Sequence, residues 1–363
     1  MYDESLLQDL KGEDLRVFLA DIVTKDTDHF ELEDRMLELE NLVKTYGGLV
    51  ILKKYQKRDA PDLKTYVGKK LEEIISDMTN LDANLLIINV LKPRQLYEIS
   101  EQLRPLNIKV WDRVDLILKI FGKHADSMEA RLQIELAAIK HMPRIFMMEL
   151  SRQITKIETN TERMKRHLKE KILKINSKLE QYSKMRDLHR QSRIKRKLPV
   201  VGIVYTNTKS SLLNYLTKKV LAENKLFATL TSVKMFVFSD IAKLKEILLS
   251  DTIFIRDLPP HLIKAFSSTL EDSIESDMLI HVVDSSDPFV KHRMEVVNSI
   301  LEKIAKQPQM VVFNKIDLLD SQQLLDLKDR FKELNPVRIS VKDHGIDVLK
   351  QEILFRLQSF MTI

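Results

Sequence analysis

Three continuous apolar runs shape the C-terminal part of this sequence: Val200-Val201-Gly202-Ile203-Val204, Met278-Leu279-Ile280-His281-Val282-Val283 and Met310-Val311-Val312-Phe313. Helix-type apolar spacing follows them, as from Arg293 to Ile304 and from Leu324 to Leu334. A strand that is apolar at consecutive positions is buried on both faces, the condition of a parallel sheet covered by helices. This βα rhythm predicts a doubly wound domain over residues 198–363. Residues 1–147 alternate more weakly, with strand-like Leu49-Val50-Ile51-Leu52 and Asn84-Leu85-Leu86-Ile87-Ile88-Asn89-Val90, and are expected to form a small N-terminal α/β domain. The expected fold class is therefore α/β, with residues 148–197 as a long helical linker between the two domains.

The linker is basic. From Ser151 to Lys197, sixteen Lys and Arg stand against five Asp and Glu, a balance of +11; the whole chain carries +6, which leaves −5 for the rest. The segment lacks Pro and Gly, and apolar residues recur at Ile157, Met164, Leu168, Ile172, Ile175, Leu179 and Tyr182. Spacings of three and four from Met164 onward predict one amphipathic helix of coiled-coil or helix-hairpin type. The run Arg190 to Lys197 closes it, and Pro199 marks the boundary. Two readings stand: a connecting helix with a solvated face, or a surface for RNA phosphates built from Arg163, Lys165, Arg166, Arg190, Arg193, Lys195, Arg196 and Lys197. Tyr182 is the one aromatic residue of the segment, so contact with the RNA backbone is favoured over base stacking.

Composition excludes several chemistries. Without cysteine there is no disulfide, no thiolate metal site and no cysteine nucleophile. No Ser-His-Asp set or metal-ligand histidine spacing stands out, and His124, His141 and His281 are expected to be core or surface residues. The start has no basic segment leading into an apolar core, and no apolar run approaches the ~20 residues of a membrane span. A cytoplasmic protein is the expectation. Glycine is scarce, 7 in 363 residues, against roughly 7% in ordinary globular proteins.

The stretch Met310 to Asp317 is an apolar strand ending in Asn314-Lys315-Ile316-Asp317. A carboxylate at Asp317 can accept from both the ring N–H and the exocyclic amine of guanine, a pair that adenine does not offer. Asn314 and Lys315 would brace that loop and pack along the base. A plain surface turn is the competing reading. Downstream, Val337-Arg338-Ile339-Ser340-Val341-Lys342 is read as a second base-contacting loop, in which a backbone N–H around Ser340 and Val341 meets the guanine oxygen. Upstream, Val201 to Asn214 lies where a phosphate loop belongs. Lys209 would be its lysine and Ser210 its magnesium hydroxyl, but G-x-x-x-x-G-K-[ST] is not met, because Ile203 and Thr208 occupy the glycine positions.

Taken in order, these segments resemble the HflX family of ribosome-associated GTPases, over nearly the whole chain. Tyr205-Thr206-Asn207-Thr208-Lys209-Ser210-Ser211-Leu212-Leu213-Asn214 is similar to the family's G-Y-T-N-A-G-K-S-T-L-F-N without its glycines. Leu226-Phe227-Ala228-Thr229-Leu230 resembles the first switch, and Asp251-Thr252-Ile253-Phe254-Ile255-Arg256-Asp257-Leu258-Pro259 resembles D-T-V-G-F-I-x-D-L-P with the glycine gone. Leu262 to Glu271 and Asp277 to Asp284 also match. In the first domain, Thr65-Tyr66-Val67-Gly68-Lys69-Lys70-Leu71-Glu72-Glu73, Leu91-Lys92-Pro93-Arg94-Gln95, Trp111-Asp112-Arg113, Ala130 to Ala137 and Met142-Pro143-Arg144 fall in family order. The glycine-rich loop that the family carries after Ser151-Arg152-Gln153 is absent.

The resemblance implies a C-terminal GTPase domain of the P-loop type. It would bind GTP or GDP through Asn207, Thr208, Lys209, Ser210, Ser211, Asp251, Asn314, Lys315, Asp317, Ser340 and Val341. Mg2+ would sit on Ser210, Thr229 and Asp251. It also implies a monomer that binds the large ribosomal subunit and its rRNA, not DNA, and splits or rescues ribosomes under stress. A phosphate loop wraps backbone N–H groups around the β-phosphate, which needs close approach and unusual φ/ψ. Loss of its glycines, and of the second-switch glycine that senses the γ-phosphate, gives the alternative reading of a pseudo-GTPase that binds ribosomes without hydrolysis. A codon bias against glycine would substitute glycines anywhere rather than delete them in separate nucleotide loops. In a third reading, the basic helix merely packs on another protein.

Overall fold

Parallel strands lie at the centre of both sheets in this computed structural model, which describes residues 15–23, 27, 29–58, 60–125, 127–141, 161–195, 199–205, 212, 216, 234–236, 247–251, 262, 276–304, 309–342 and 345–361. The described residues fall into two compact units, one running to Ser177 without residues 125–130, the other comprising those residues and Lys178 onward.

The first unit alternates β1 (Arg16–Val23), α1 (His29–Tyr46), β2 (Leu49–Lys57), α2 (Lys70–Asn80), β3 (Leu85–Ile88), α3 (Pro93–Leu103), β4 (Lys109–Asp112), α4 (Arg113–His124) and, from Arg131 onward, α5 (Met128–His141). Its sheet has the order β2-β1-β3-β4, parallel throughout. Uninterrupted apolar sequence explains the middle positions, since Leu85 to Ile88 are all buried, whereas β2 alternates exposed and half-buried residues as an outer strand does. Helix α2 turns Leu71, Ile74 and Met78 inward at helical spacing, and α3 starts at a proline, where the missing N–H costs nothing.

The basic segment forms α6 (Thr161–Lys195). Residues 151–160 and 196–198 lie outside the described residues, so the helix is seen over 35 residues of the longer run expected. Ile175 is buried on it, and Leu168, Ile172, Leu179 and Tyr182 are half-buried, which is the apolar stripe read from the spacing. Ile157 and the side chain of Met164 are outside the described set. Lys171 Nζ meets Glu135 at 2.7 Å, and Arg186 pairs with Glu129, so part of the positive charge is spent on α5.

The second unit contains β5 (Val200–Tyr205), β6 (Lys234–Phe236), β7 (Ile247–Asp251), β8 (Met278–Asp284), α7 (Val290–Ile304), β9 (Gln309–Asn314), α8 (Ser321–Arg330), β10 (Val337–Arg338) and α9 (Ile346–Met361). The sheet order is β10-β9-β8-β5-β7-β6, parallel except for β6 against β7. Alternate residues of β8 go to opposite faces. Ile280 and Val282 join Leu349, Ile353 and Leu357 of α9, while Val283 joins Met294 of α7, Phe313, and Leu327 of α8. Helices thus cover both faces, as doubly wound packing requires. The chain runs from β5 to one side and returns at β8 on the other, and this reversal is where ligands of such sheets bind, beyond the carboxyl ends of the strands.

Gly345, just before α9, has φ +94, and a Cβ there would stand 2.8 Å from the Arg338 carbonyl oxygen. That close approach to β10 requires glycine. His281 is fully buried on β8, and neither ring nitrogen makes a hydrogen bond of normal geometry among the described residues. Burial pushes its pKa down to about 4, and Asn298 offsets only part of that. A histidine with a depressed folded pKa binds fewer protons folded than unfolded, so stability is lost as pH falls below its ordinary value near 6.5. Melts of the wild type and His281→Leu at pH 8 and pH 5 are expected to differ in slope, the wild type losing roughly 2 kcal/mol more on acidification. Equal slopes would remove His281 as the cause.

Candidate guanine-nucleotide site

Strands β8 and β9 run in register, with Asp284 opposite Asn314, and the Ser285 N–H donates to the Asn314 carbonyl at 2.9 Å. Asn314 is buried, and its side-chain oxygen accepts the Lys315 N–H at 2.8 Å. Lys315 then adopts left-handed φ 63, ψ 34 and starts a single 3-10 turn over Ile316–Leu318, closed by the Leu318 N–H on the Lys315 carbonyl at 3.1 Å. A non-glycine residue in this conformation is uncommon and has to be held by its surroundings. The turn leaves Asp317 exposed, without a hydrogen bond or ion pair among the described residues.

The second loop lies beside the first. The Ile339 N–H donates to Phe313 at 2.8 Å and the Ile316 N–H to Ile339 at 3.4 Å, which ties the end of β10 to the turn. Ser340 is buried and accepts the Lys342 N–H at 3.2 Å, and Val341 packs half-buried on the core. Asn314, Lys315, Asp317, Ser340 and Val341 are therefore gathered at neighbouring strand ends. Chemically, this offers a solvent-facing carboxylate able to accept two donors, beside backbone amides and a lysine stem, as guanine demands.

Asn207, Thr208, Lys209, Ser210, Ser211 and Thr229 lie outside the described residues; Asp251 ends β7, its side chain outside the described set. Of the residues assigned to RNA, Lys165, Arg166 and Lys195 are exposed on α6 and Arg190 is half-exposed. Arg163 and Arg193 belong to the helix with side chains outside the described set, and Arg196 and Lys197 lie beyond it.

Three polar groupings escape sequence reading. Lys315 Nζ donates to Asp284 Oδ2 at 2.6 Å, across residues far apart in the chain. In the first unit, the Asp112 N–H donates to the Asp115 carboxylate at 3.2 Å and the Asp115 N–H to Asp112 at 2.8 Å. These bonds cap the start of α4, and His141 Nε2 reaches Asp112 at 2.9 Å from the end of α5. Burial, with the Asp112 charge adding to it, pushes Asp115 up to about 7. Burial works against a charged His141, but its hydrogen bond to Asp112 and the two carboxylates outweigh it and raise its pKa. The donor atoms of the three lie within 4.8 Å of one another, and their mutual hydrogen bonds account for the cluster as a joint between β4, α4 and α5. Asp21, buried on β1, accepts from Tyr66 at 3.0 Å and Asn89 at 3.2 Å, with Arg35 at 3.4 Å. Burial is the largest influence on it and raises its pKa.

Sheet order, helices on both faces and the paired loops at β9 and β10 define the C-terminal part as a GTPase-type domain. Family descriptions agree along the chain: GTP-binding GTPase N-terminal over residues 33–122, GTP-binding GTPase Middle Region over 124–193, and 50S ribosome-binding GTPase over 201–315. The GTPase HflX of Caldanaerobacter subterraneus subsp. tengcongensis is 38% identical over 335 residues, covering 86% of this chain and 75% of the relative. That of Escherichia coli is 35% identical over 352 residues, 92% and 80% of the two chains. Among solved structures, a GTP-binding protein of Sulfolobus solfataricus in complex with GDP aligns over 95% of this chain and 99% of its own, at 27% identity and TM-score 0.50. A structure of SsGBP with GDP aligns over 96% and 100%, at 26% identity and TM-score 0.55. The chain belongs to the HflX family of GTPases.

Proposed function

We propose that this protein binds guanine nucleotides at the ends of β8, β9 and β10 and associates with the large ribosomal subunit, where GTP hydrolysis would split or rescue ribosomes under stress. The observation that carries the nucleotide part is the left-handed Lys315 turn, which presents Asp317 to solvent beside Ser340. Lys209, Ser210, Ser211, Asn207 and Thr208 would hold the phosphates, and Ser210, Thr229 and Asp251 would hold Mg2+, whose charge would offset that of the phosphates. Ribosome association rests on the likeness to the large-subunit-binding GTPases and on the exposed cations of α6, which suit rRNA phosphates. Among the described residues no helix is long and apolar enough to cross a membrane.

A second reading has its own support. No glycine occurs between Gly202 and Gly345, so neither the phosphate loop nor the second switch contains one. A pseudo-GTPase would keep the base-reading end and the basic helix and lack hydrolysis. Calorimetric titration with GTP and Mg2+, with hydrolysis assayed with and without large subunits, separates the two. Tight binding with ribosome-stimulated turnover supports the first; weak binding without turnover supports the second.

If α6 contacts rRNA, co-sedimentation with ribosomes is expected to fall steeply with salt, because each neutralised phosphate releases counterions. Neutralising Arg190, Arg193, Lys195 and Arg196 together is expected to weaken pelleting and flatten that salt dependence. Pelleting insensitive to both would move the ribosome contact away from this helix.

A further inference from the structure

We propose that Asp284 is a positioning residue for guanine recognition: from the end of β8 it holds the Lys315 ammonium and so fixes the loop that carries Asp317. This inference rests on the guanine-binding reading of the site. Asp284 is buried, and its two oxygens have separate tasks. Oδ2 accepts from Lys315 Nζ at 2.6 Å, while Oδ1 accepts the Ser286 N–H at 3.1 Å and the Ser286 hydroxyl at 2.6 Å. The Ser286 bonds keep the carboxylate from turning to follow a moving lysine, so the ion pair acts as a fixed anchor.

The anchor has a specific load. Lys315 stands at φ 63, a conformation that reverts to an ordinary one unless it is held. The Asn314 side chain and the Leu318 N–H hold its backbone, and Asp284 holds the far end of its side chain. A free lysine has four flexible carbons and leaves the position of its own stem undefined. Held at the amine, the stem becomes one wall of the base-reading end, and the next turn of chain sets Asp317. A recognition group has to sit within about half an ångström of its productive place. The chain's own groups therefore shape this end of the site in advance of any nucleotide, which lowers the ordering cost of binding.

The test uses the full-length protein with fluorescent GDP and, in competition, inosine diphosphate, which lacks the exocyclic amine. Asp284→Asn keeps the shape and removes the charge. It is expected to weaken GDP at least tenfold and to narrow the preference for GDP over inosine diphosphate, with Asp284→Glu recovering part of both. Amine labelling of the nucleotide-free protein, read by mass spectrometry, is expected to show Lys315 more reactive in Asp284→Asn, a change that general destabilisation would spread over other lysines as well. Ser286→Ala, which leaves the charge pair in place, is expected to give a smaller effect of the same kind and serves if Asp284→Asn does not fold. GDP binding that is lost in Asp317→Asn but unchanged in folded Asp284→Asn, with Lys315 labelling also unchanged, overturns the positioning role alone. A wild type that binds no guanine nucleotide overturns the guanine reading and this inference with it.

Discussion

Asp317→Ala is expected to weaken GDP binding about a hundredfold or more and to erase the preference for guanine over adenine nucleotides. The magnitude follows from what the carboxylate does. In the proposed complex one group accepts two N–H donors of the base, and each hydrogen bond to a charged acceptor contributes roughly 1.5–3 kcal/mol. Asp317 is exposed and makes no hydrogen bond or ion pair among the described residues, so its removal leaves no buried group behind and little cost to folding. Binding and stability should therefore separate: affinity collapses while the melting temperature stays near that of the wild type. Titration of wild type and variant with GDP and ADP checks it. Equal GDP affinity in both proteins would show that the base is not read by this turn.

Asp287→Ala is expected to act the other way, on the fold, at a cost of about 3–5 kcal/mol. Asp287 and Arg293 form a buried ion pair between the end of β8 and the first turns of α7, with side chains 4% and 7% exposed. Asp287 also accepts the Phe289 N–H at 2.9 Å and, through its carbonyl, the Val290 N–H at 3.1 Å, which sets the start of the helix. Removing the carboxylate takes from the buried guanidinium the negative charge that faces it, and the cost comes from that lost compensation in the interior more than from the pair itself. A domain stable by about 5–15 kcal/mol would then keep only part of its margin. Urea unfolding measures the loss. The double variant Asp287→Ala, Arg293→Met is expected to recover much of it; a double variant no better than the single one would place the cost elsewhere.

Much of the architecture was legible in the chain. Short apolar runs such as Met278 to Val283, rich in β-branched residues, read as strands buried on both faces, and the βα rhythm leaves few topologies for them. The α6 stripe was legible for the same reason, since period alone places Leu168, Ile172, Ile175 and Leu179 on one side. Its ion pairs with α5 were not, because nothing in the spacing of Lys171 or Arg186 says which acidic residue will stand opposite. Asn314, Lys315 and Asp317 could be read as a site because they are contiguous and end a strand. Asp284 was visible as the polar end of an apolar run that matches the family, with no role attached, and its partner Lys315 is a strand and a helix away.

Gly345 shows the division clearly. Its place in the sequence marks a turn before a helix, but the need for glycine comes from the Arg338 carbonyl 2.8 Å from where a Cβ would be. The sequence alone determined the α/β class, the basic helix, the motif order that places the chain among HflX GTPases, and the loss of glycine from the phosphate and second-switch loops. These are local or periodic properties, written in neighbouring residues. Only the tertiary structure decided that Asp284 anchors Lys315, that His281 is sealed in the core and depressed in pKa, and that Asp112, Asp115 and His141 join three elements. Burial and charge pairing depend on what the fold brings together from distant parts of the chain.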